Sequence, residues 1–211
     1  MRNISIGLCV AMFVACAVPA LGARIDTVND VSDKAGSVKN AINPFGLFAR
    51  YSNERAYVEF SLDSTPATSA TLNLYNGWFK ATSPVNRTIQ IDGGTGGFNE
   101  DAVSSAQLIA LAAGFVPTTP QSQFPVNNTP QWYALDITDF YNANLGQTIT
   151  LRIMVVGGTG DGPIFVDHEG TAQTGAFPGG PGYEPHIAWV PEPASLMLLA
   201  AGSLLLTRRR R

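Results

Sequence analysis

Apolar and polar residues alternate through Arg55-Ala-Tyr-Val-Glu-Phe-Ser-Leu62, which sets Ala56, Val58, Phe60 and Leu62 on one face and Arg55, Tyr57, Glu59 and Ser61 on the other. A period of two predicts a half-buried strand, because successive side chains of an extended backbone point to opposite sides. The alternation returns in Ser69-Ala-Thr-Leu-Asn-Leu-Tyr75, where Ala70, Leu72 and Leu74 oppose Thr71, Asn73 and Tyr75. Between the two runs lies Asp63-Ser-Thr-Pro66, a turn-forming break, so the pair is predicted to run antiparallel side by side. Further strands are expected over residues 47–51, 88–91, 132–137, 148–156, 163–167 and 185–190, each bounded by Gly, Pro or Asn.

Helical spacing is scarce. Residues 136–146 form the one clear case, with Asp136 or Thr138 as N-cap and Gly146 as the stop, while the Ala-rich stretch 103–113 fits either a short helix or a strand. Many short strands, little helix and no fixed-period repeat predict an all-β fold, a two-sheet β-sandwich of jelly-roll type. Trp132 and Phe79 are expected in its core, and Trp78, in the turn Asn76-Gly-Trp-Phe79, at its surface.

Both ends of the chain break the alternation with continuous apolar runs. Residues 1–23 carry Arg2, an apolar stretch from Ile4, and small residues at Ala20, Gly22 and Ala23, the three parts of a secretory signal peptide. Both cysteines, Cys9 and Cys16, fall inside it, so the mature chain is expected to hold neither a disulfide nor a reactive thiol. The other end reads Val190-Pro-Glu-Pro193, then an apolar stretch 194–207, then Arg208 to Arg211. As a helix that stretch rises about 21 Å against a hydrocarbon core of roughly 30 Å, too short for an unstrained permanent span. The predicted organisation is a signal peptide over 1–23, a β-sandwich ectodomain over 24–189 and a distinct C-terminal segment over 190–211 with a short apolar helix.

Charge narrows the partners. Between the two ends eight Lys/Arg face fifteen Asp/Glu, a net of minus seven that the whole-chain value of −3 conceals. Phosphate binding needs a basic stripe, so nucleic acid is not an expected partner. Catalysis is not expected either: the mature chain has two histidines and no cysteine, and it lacks Gly-x-Ser-x-Gly and His-Glu-x-x-His. Asp167-His168-Glu169 offers a metal-binding or acid/base triplet, but strand neighbours point apart, so the three converge only if the segment is a turn, and it is read as a structural closing turn. Glu100, Asp101, Asp167 and Glu169 supply the carboxylates a glycosidase would pair. The glycine-rich stretches 91–97 and 156–162 are read as flexible loops at one rim; with Asp92 and Asp161 they offer the oxygen ligands that calcium prefers, the one cofactor considered. Tyr75 and Trp78 are the candidate sugar platforms, because an aromatic ring stacks on the C–H face of a pyranose.

Two resemblances follow from these motifs. Arg55 to Leu62, Ser69 to Tyr75, Phe98-Asn-Glu-Asp-Ala-Val103, Trp132-Tyr-Ala-Leu-Asp-Ile-Thr138, Phe165 to Glu169 and Pro185 to Trp189 resemble, in order, the strand motifs of DNRLRE-type domains. That group is related to disaggregatase repeats and to some carbohydrate-binding modules. The family's two tryptophans flanking the third motif are missing here. The resemblance implies a jelly roll that contacts glycans. The tail, with Val190, Pro191, Glu192 and Pro193 as its motif, resembles the PEP-CTERM sorting signal. This likeness implies processing by an exosortase, transient anchoring in the inner membrane, and delivery to the cell surface or an extracellular matrix. The expected function is an exported protein that binds or organises exopolysaccharide; the alternatives are a structural adhesion or spacer module and a secreted glycan-active enzyme.

Overall fold

The computed structural model describes residues 22–34, 36–40, 46–49, 54–77, 86–118, 123–126, 129–159, 163–168 and 182–192. Its elements in chain order are β1 (Ala23–Asp26), β2 (Asn29–Lys34), β3 (Ser37–Asn40), β4 (Leu47–Phe48), β5 (Glu54–Ser61), β6 (Ala67–Asn76) and β7 (Asn86–Thr95), then α1 (Ser105–Leu111), β8 (Val116–Pro117), β9 (Gln123–Val126), β10 (Gln131–Asp136), α2 (Thr138–Ala143), β11 (Thr148–Thr159), β12 (Ile164–Phe165) and β13 (His186–Pro191). They form two antiparallel sheets packed as a β-sandwich. One runs β1-β13-β6-β12-β4 with β10 also on β6; the other runs β3-β2-β5-β11-β7-β8 with β9 also on β7.

The predicted inward faces hold. Ala56, Val58 and Phe60 of one sheet meet Ala70, Leu72 and Leu74 of the other in a single core, joined by Ile89, Ile91, Ile149, Leu151 and Ile153. Their pairing differs from expectation, since β5 bonds β2 and β11 while β6 bonds β13, β10 and β12. The turn at Asp63 to Pro66 therefore carries the chain from one sheet to the other. Two alternating runs bury their apolar faces equally well side by side or face to face, and periodicity alone does not separate the two arrangements.

Polar residues hid the first three strands. Residues 23–40 are rich in Asp, Ser, Lys and Asn, yet β2 pairs with β5 over Asn29 to Lys34 and β1 with β13 over Ala23 to Asp26. The glycine stretch 91–97 is likewise mostly strand: Gly93 and Gly94 sit opposite Leu151 and Thr150 in β11. A Cβ on Gly93 would lie 2.6 Å from Leu151 Cδ2 and 3.0 Å from Phe140 Cζ, and one on Gly94 2.8 Å from Phe115 Cδ1. These glycines make room for two phenylalanines on opposite sides of the sheet rather than loosening the chain. Gly157 and Gly158 pair with Thr88 and Arg87 at the far end of the same ladder, so the two glycine stretches occupy opposite ends and not one rim.

The helices fall where helical signal was read. Residues 103–113 resolve as α1, capped by Ser104, whose side chain accepts the Gln107 N–H while the Gln107 side chain accepts the Ser104 N–H. In α2, Asp136 Oδ1 accepts the Thr138 N–H at 2.9 Å and the Thr138 hydroxyl at 2.6 Å, and Gly146 follows the helix at φ +68°. That local bonding holds the Asp136 carboxyl below the usual carboxylate range. Helix α1 covers the outer face of the second sheet, where Leu108 and Ala112 bury Val31 and Tyr57 with Phe98, Val103 and Phe115 packed around them. This explains why Tyr57 and Glu59, predicted to face solvent, are buried.

No helix among the described residues is long and apolar enough to cross a membrane. The expected signal peptide over 1–23 lies outside the described residues up to position 21, as does the apolar stretch 194–207.

Candidate functional site

Among the described residues no helix covers the outer face of the first sheet, and the residues of that face follow from register. Tyr75 of β6 stands opposite Trp132 of β10, and Asn73 stands between Ala134 of β10 and His186 of β13, with Asp26 of β1 beyond. One step along, Thr71 lies between Asp136 and Ala188, with Arg24 beyond. Alternate residues of neighbouring strands thus make a continuous array of side chains with spacing set by the sheet.

Aromatic rings gather at one end of that array. Tyr75 meets Trp132 edge-on with centroids 5.2 Å apart, and Tyr183 packs over Tyr75 at 4.4 Å. Tyr183 and Trp132 are nearly parallel, at 14° and 6.2 Å, and His186 sets its ring edge against Trp132 at 5.3 Å. Tyr75 is the buried floor, at 8% exposure, whereas Trp132 is 38% exposed. Burial and the neighbouring Tyr183 raise the Tyr75 phenol above its ordinary value, so it is a neutral hydrogen-bonding group. The turn before β13 brings Tyr183 into place: Gly182 takes φ +104°, and its N–H donates to both carboxylate oxygens of Glu184 at 2.9 and 2.8 Å. Partial burial opposes ionisation of Glu184, but the Gly182 amide and the Arg24 guanidinium outweigh it and hold the carboxyl below its usual range. Arg24 donates to Glu184 at 3.3 Å and also to Asp26. The result is an open aromatic surface edged by a guanidinium, two carboxylates and side-chain amides. Such a surface presents an apolar plane with hydrogen-bonding groups along its edge.

Sequence-predicted residues fall on and off this surface. Tyr75 lies in the aromatic group; Trp78 lies outside the described residues. Trp132, expected in the core, is on the outer face, and the reason was visible in its own strand. Alternation in β10 puts Trp132, Ala134 and Asp136 together and sends Leu135 inward. Tyr183 carried no periodic signal, because its position depends on a turn. Asp92, a predicted calcium ligand, is occupied otherwise: Arg152 Nε donates to Oδ1 at 2.9 Å and Nη2 donates to Oδ2, a two-pronged pair beneath Phe115. Asp161 lies outside the described residues. In Asp167-His168-Glu169, Asp167 is buried, His168 meets Asp30 and Glu100 from distant parts of the chain, and Glu169 lies outside the described residues. Val190 and Pro191 belong to β13, paired with Ser69 and Ala67, and the Glu192 N–H donates to the Pro66 carbonyl at 2.9 Å. Pro193 lies outside the described residues.

Residues 190–211 match the PEP-CTERM protein-sorting motif, which marks an exported protein handled by an exosortase and sorted to the cell surface. No curated protein matches the chain. Among solved structures the chain is similar to a xylan-binding module, CBM15, at 9% identity and a TM-score of 0.32, over 81% of this chain and 97% of that one.

Proposed function

We propose that this protein is a component of the cell surface or extracellular matrix that binds or organises exopolysaccharide through the outer face of its first sheet. The observation that carries the reading is the exposed Trp132 ring, propped by Tyr75 and flanked by Tyr183 and His186 on a sheet face that no helix among the described residues covers. An indole buried on one side and open on the other offers an apolar plane to the C–H face of a sugar ring. The neighbouring Arg24, Asp26, Glu184 and Asn73 supply hydroxyl partners at the same level. Fixed aromatic groups of this kind bind at low conformational cost because their geometry exists before the ligand arrives. The order of strand motifs, which resembles that of DNRLRE-type domains, supports the same reading. The surface is assigned binding rather than turnover.

Titration of the purified protein with acidic and neutral polysaccharides, followed by tryptophan fluorescence and by retention on immobilised glycan, tests the assignment. Trp132→Ala and Tyr183→Ala are expected to weaken retention at least tenfold. Equal responses from wild type and both variants overturn the reading in favour of a spacer module without a glycan ligand. Trp78→Ala, run beside them, shows whether that residue shares the surface.

A further inference from the structure

We infer that Asp30, Glu100 and His168 form a binding site for a divalent transition-metal ion of the zinc class, which ties the two sheets together at one edge of the sandwich. The three residues come from separate stretches: Asp30 from β2, Glu100 from the segment between β7 and α1, and His168 from the segment that follows β12. Asp30 stands opposite Val58, a core residue, and is 0% exposed. A carboxylate in that position demands compensation, since burying an unpaired charge is costly. One oxygen has it: Oδ2 accepts the His168 N–H at 2.6 Å. The other, Oδ1, is buried and has no hydrogen-bond partner among the described residues.

The remaining geometry supplies the donors. His168 Nδ1 lies 3.4 Å from Asp30 Oδ2 and 3.8 Å from Glu100 Oε2, and one donor atom from each residue fits within a mutual distance of 4.8 Å. Metal bonds of about 2.0 Å in a tetrahedron place ligands about 3.3 Å apart, so a small inward movement of the partly exposed Glu100 completes the set. Two main-chain N–H groups already orient the carboxylates: His168 N–H on Asp30, and Asp30 N–H on Glu100 Oε2 at 3.1 Å. Such supporting bonds fix a ligand's direction before the ion arrives. One imidazole nitrogen with two carboxylates suits zinc and its neighbours, whereas calcium and magnesium select all-oxygen sets. Glu100 and His168, with side chains 20% and 22% exposed, open the site to solvent and leave a fourth position for water.

Chelator-treated full-length protein, titrated with Zn²⁺ by calorimetry and thermal melting, tests the site; Co²⁺ serves as a visible reporter of nitrogen ligation. One equivalent of Zn²⁺ is expected to bind and raise Tm, with Ca²⁺ at the same concentration producing no shift. Asp30→Asn keeps the shape of the buried side chain, and Glu100→Gln changes only a partly exposed one, so the second reports even if the first fails to fold. Glu100→Gln is expected to weaken Zn²⁺ binding at least tenfold. Absence of a Zn²⁺-dependent rise in Tm, unchanged Zn²⁺ binding in Glu100→Gln, or a larger response to Ca²⁺ than to Zn²⁺ overturns the inference.

Discussion

The two outer faces of the sandwich have opposite fates. On the second sheet, α1 lies over Val31 and Tyr57, Asp33 Oδ2 accepts the Ser105 hydroxyl at 2.8 Å, and Phe115 covers the Arg152–Asp92 pair. On the first sheet, Tyr75, Trp132 and His186 stand on the strands, and among the described residues only Tyr183 is drawn over them. Both faces carry large aromatic or apolar groups, so the difference is not composition. One face is closed by the chain itself, and its groups stabilise the fold; the other is the face to which glycan binding is proposed, and among the described residues its groups are less covered.

The sharpest way to break this contrast is to open the closed face. Leu108→Ala removes a fully buried side chain from beneath α1 and is expected to cost about 2–5 kcal/mol, read as a fall in Tm and in the denaturant midpoint, with glycan retention preserved below the transition. Arg152→Met strands the Asp92 carboxylate, whose side chain is 6% exposed. Because Arg152 itself is 20% exposed, the loss is expected near the bottom of the buried-pair range, about 3 kcal/mol, measurable by chemical denaturation. The mirror experiment on the open face is Trp132→Ala. There stability should change by about 1 kcal/mol or less, while retention on glycan is lost, a separation that Leu108→Ala does not show.

Two smaller effects sharpen the comparison further. The Tyr141 hydroxyl is buried without a hydrogen-bond partner among the described residues, and burial pushes its pKa up to about 12. Tyr141→Phe is therefore expected to be neutral or to stabilise by up to about 1 kcal/mol in thermal melts. Glu184, held below the usual carboxyl range, stabilises the folded state fully above the ordinary carboxylate pKa. That contribution is lost as pH falls through its lowered value. The Tm gap between wild type and Glu184→Gln should be small at about pH 7 and shrink as pH falls below the ordinary carboxyl range; a gap that is constant with pH contradicts the ion-pair account.

Much of the fold was legible because burial on one face writes a period of two into Ala56, Val58 and Phe60 and into Ala70, Leu72 and Leu74. Of the strands that escaped notice, β1 alternates but over only four residues, and β2 is buried on both faces with polar Asp30, Ser32 and Asp33 beside a single apolar side chain, Val31. Sheet assignment was illegible at Asp63 to Pro66 because a hairpin and a crossover demand the same residues. Of the candidate surface, Tyr75 was readable from its strand, and Trp132 was readable in principle from its own. Tyr183 depended on a turn, and the meeting of Asp30, Glu100 and His168 depends on one strand and two connecting segments whose contacts span up to 138 positions of sequence. Local pattern reports which way a residue points, not which distant residue it points toward.

β1 and β13 lie side by side, Ala23 opposite Trp189, with Gly22 against the Trp189 carbonyl and the Glu192 amide bonded across to Pro66. The module consequently has one exit. Gly22 and Glu192 leave the sandwich at a single corner, with no slack between the last strand and the Pro-Glu-Pro sequence. An insertion between Trp189 and Pro191 would break the last rungs of the β13–β6 ladder, so slack at this corner has to be added beyond Glu192.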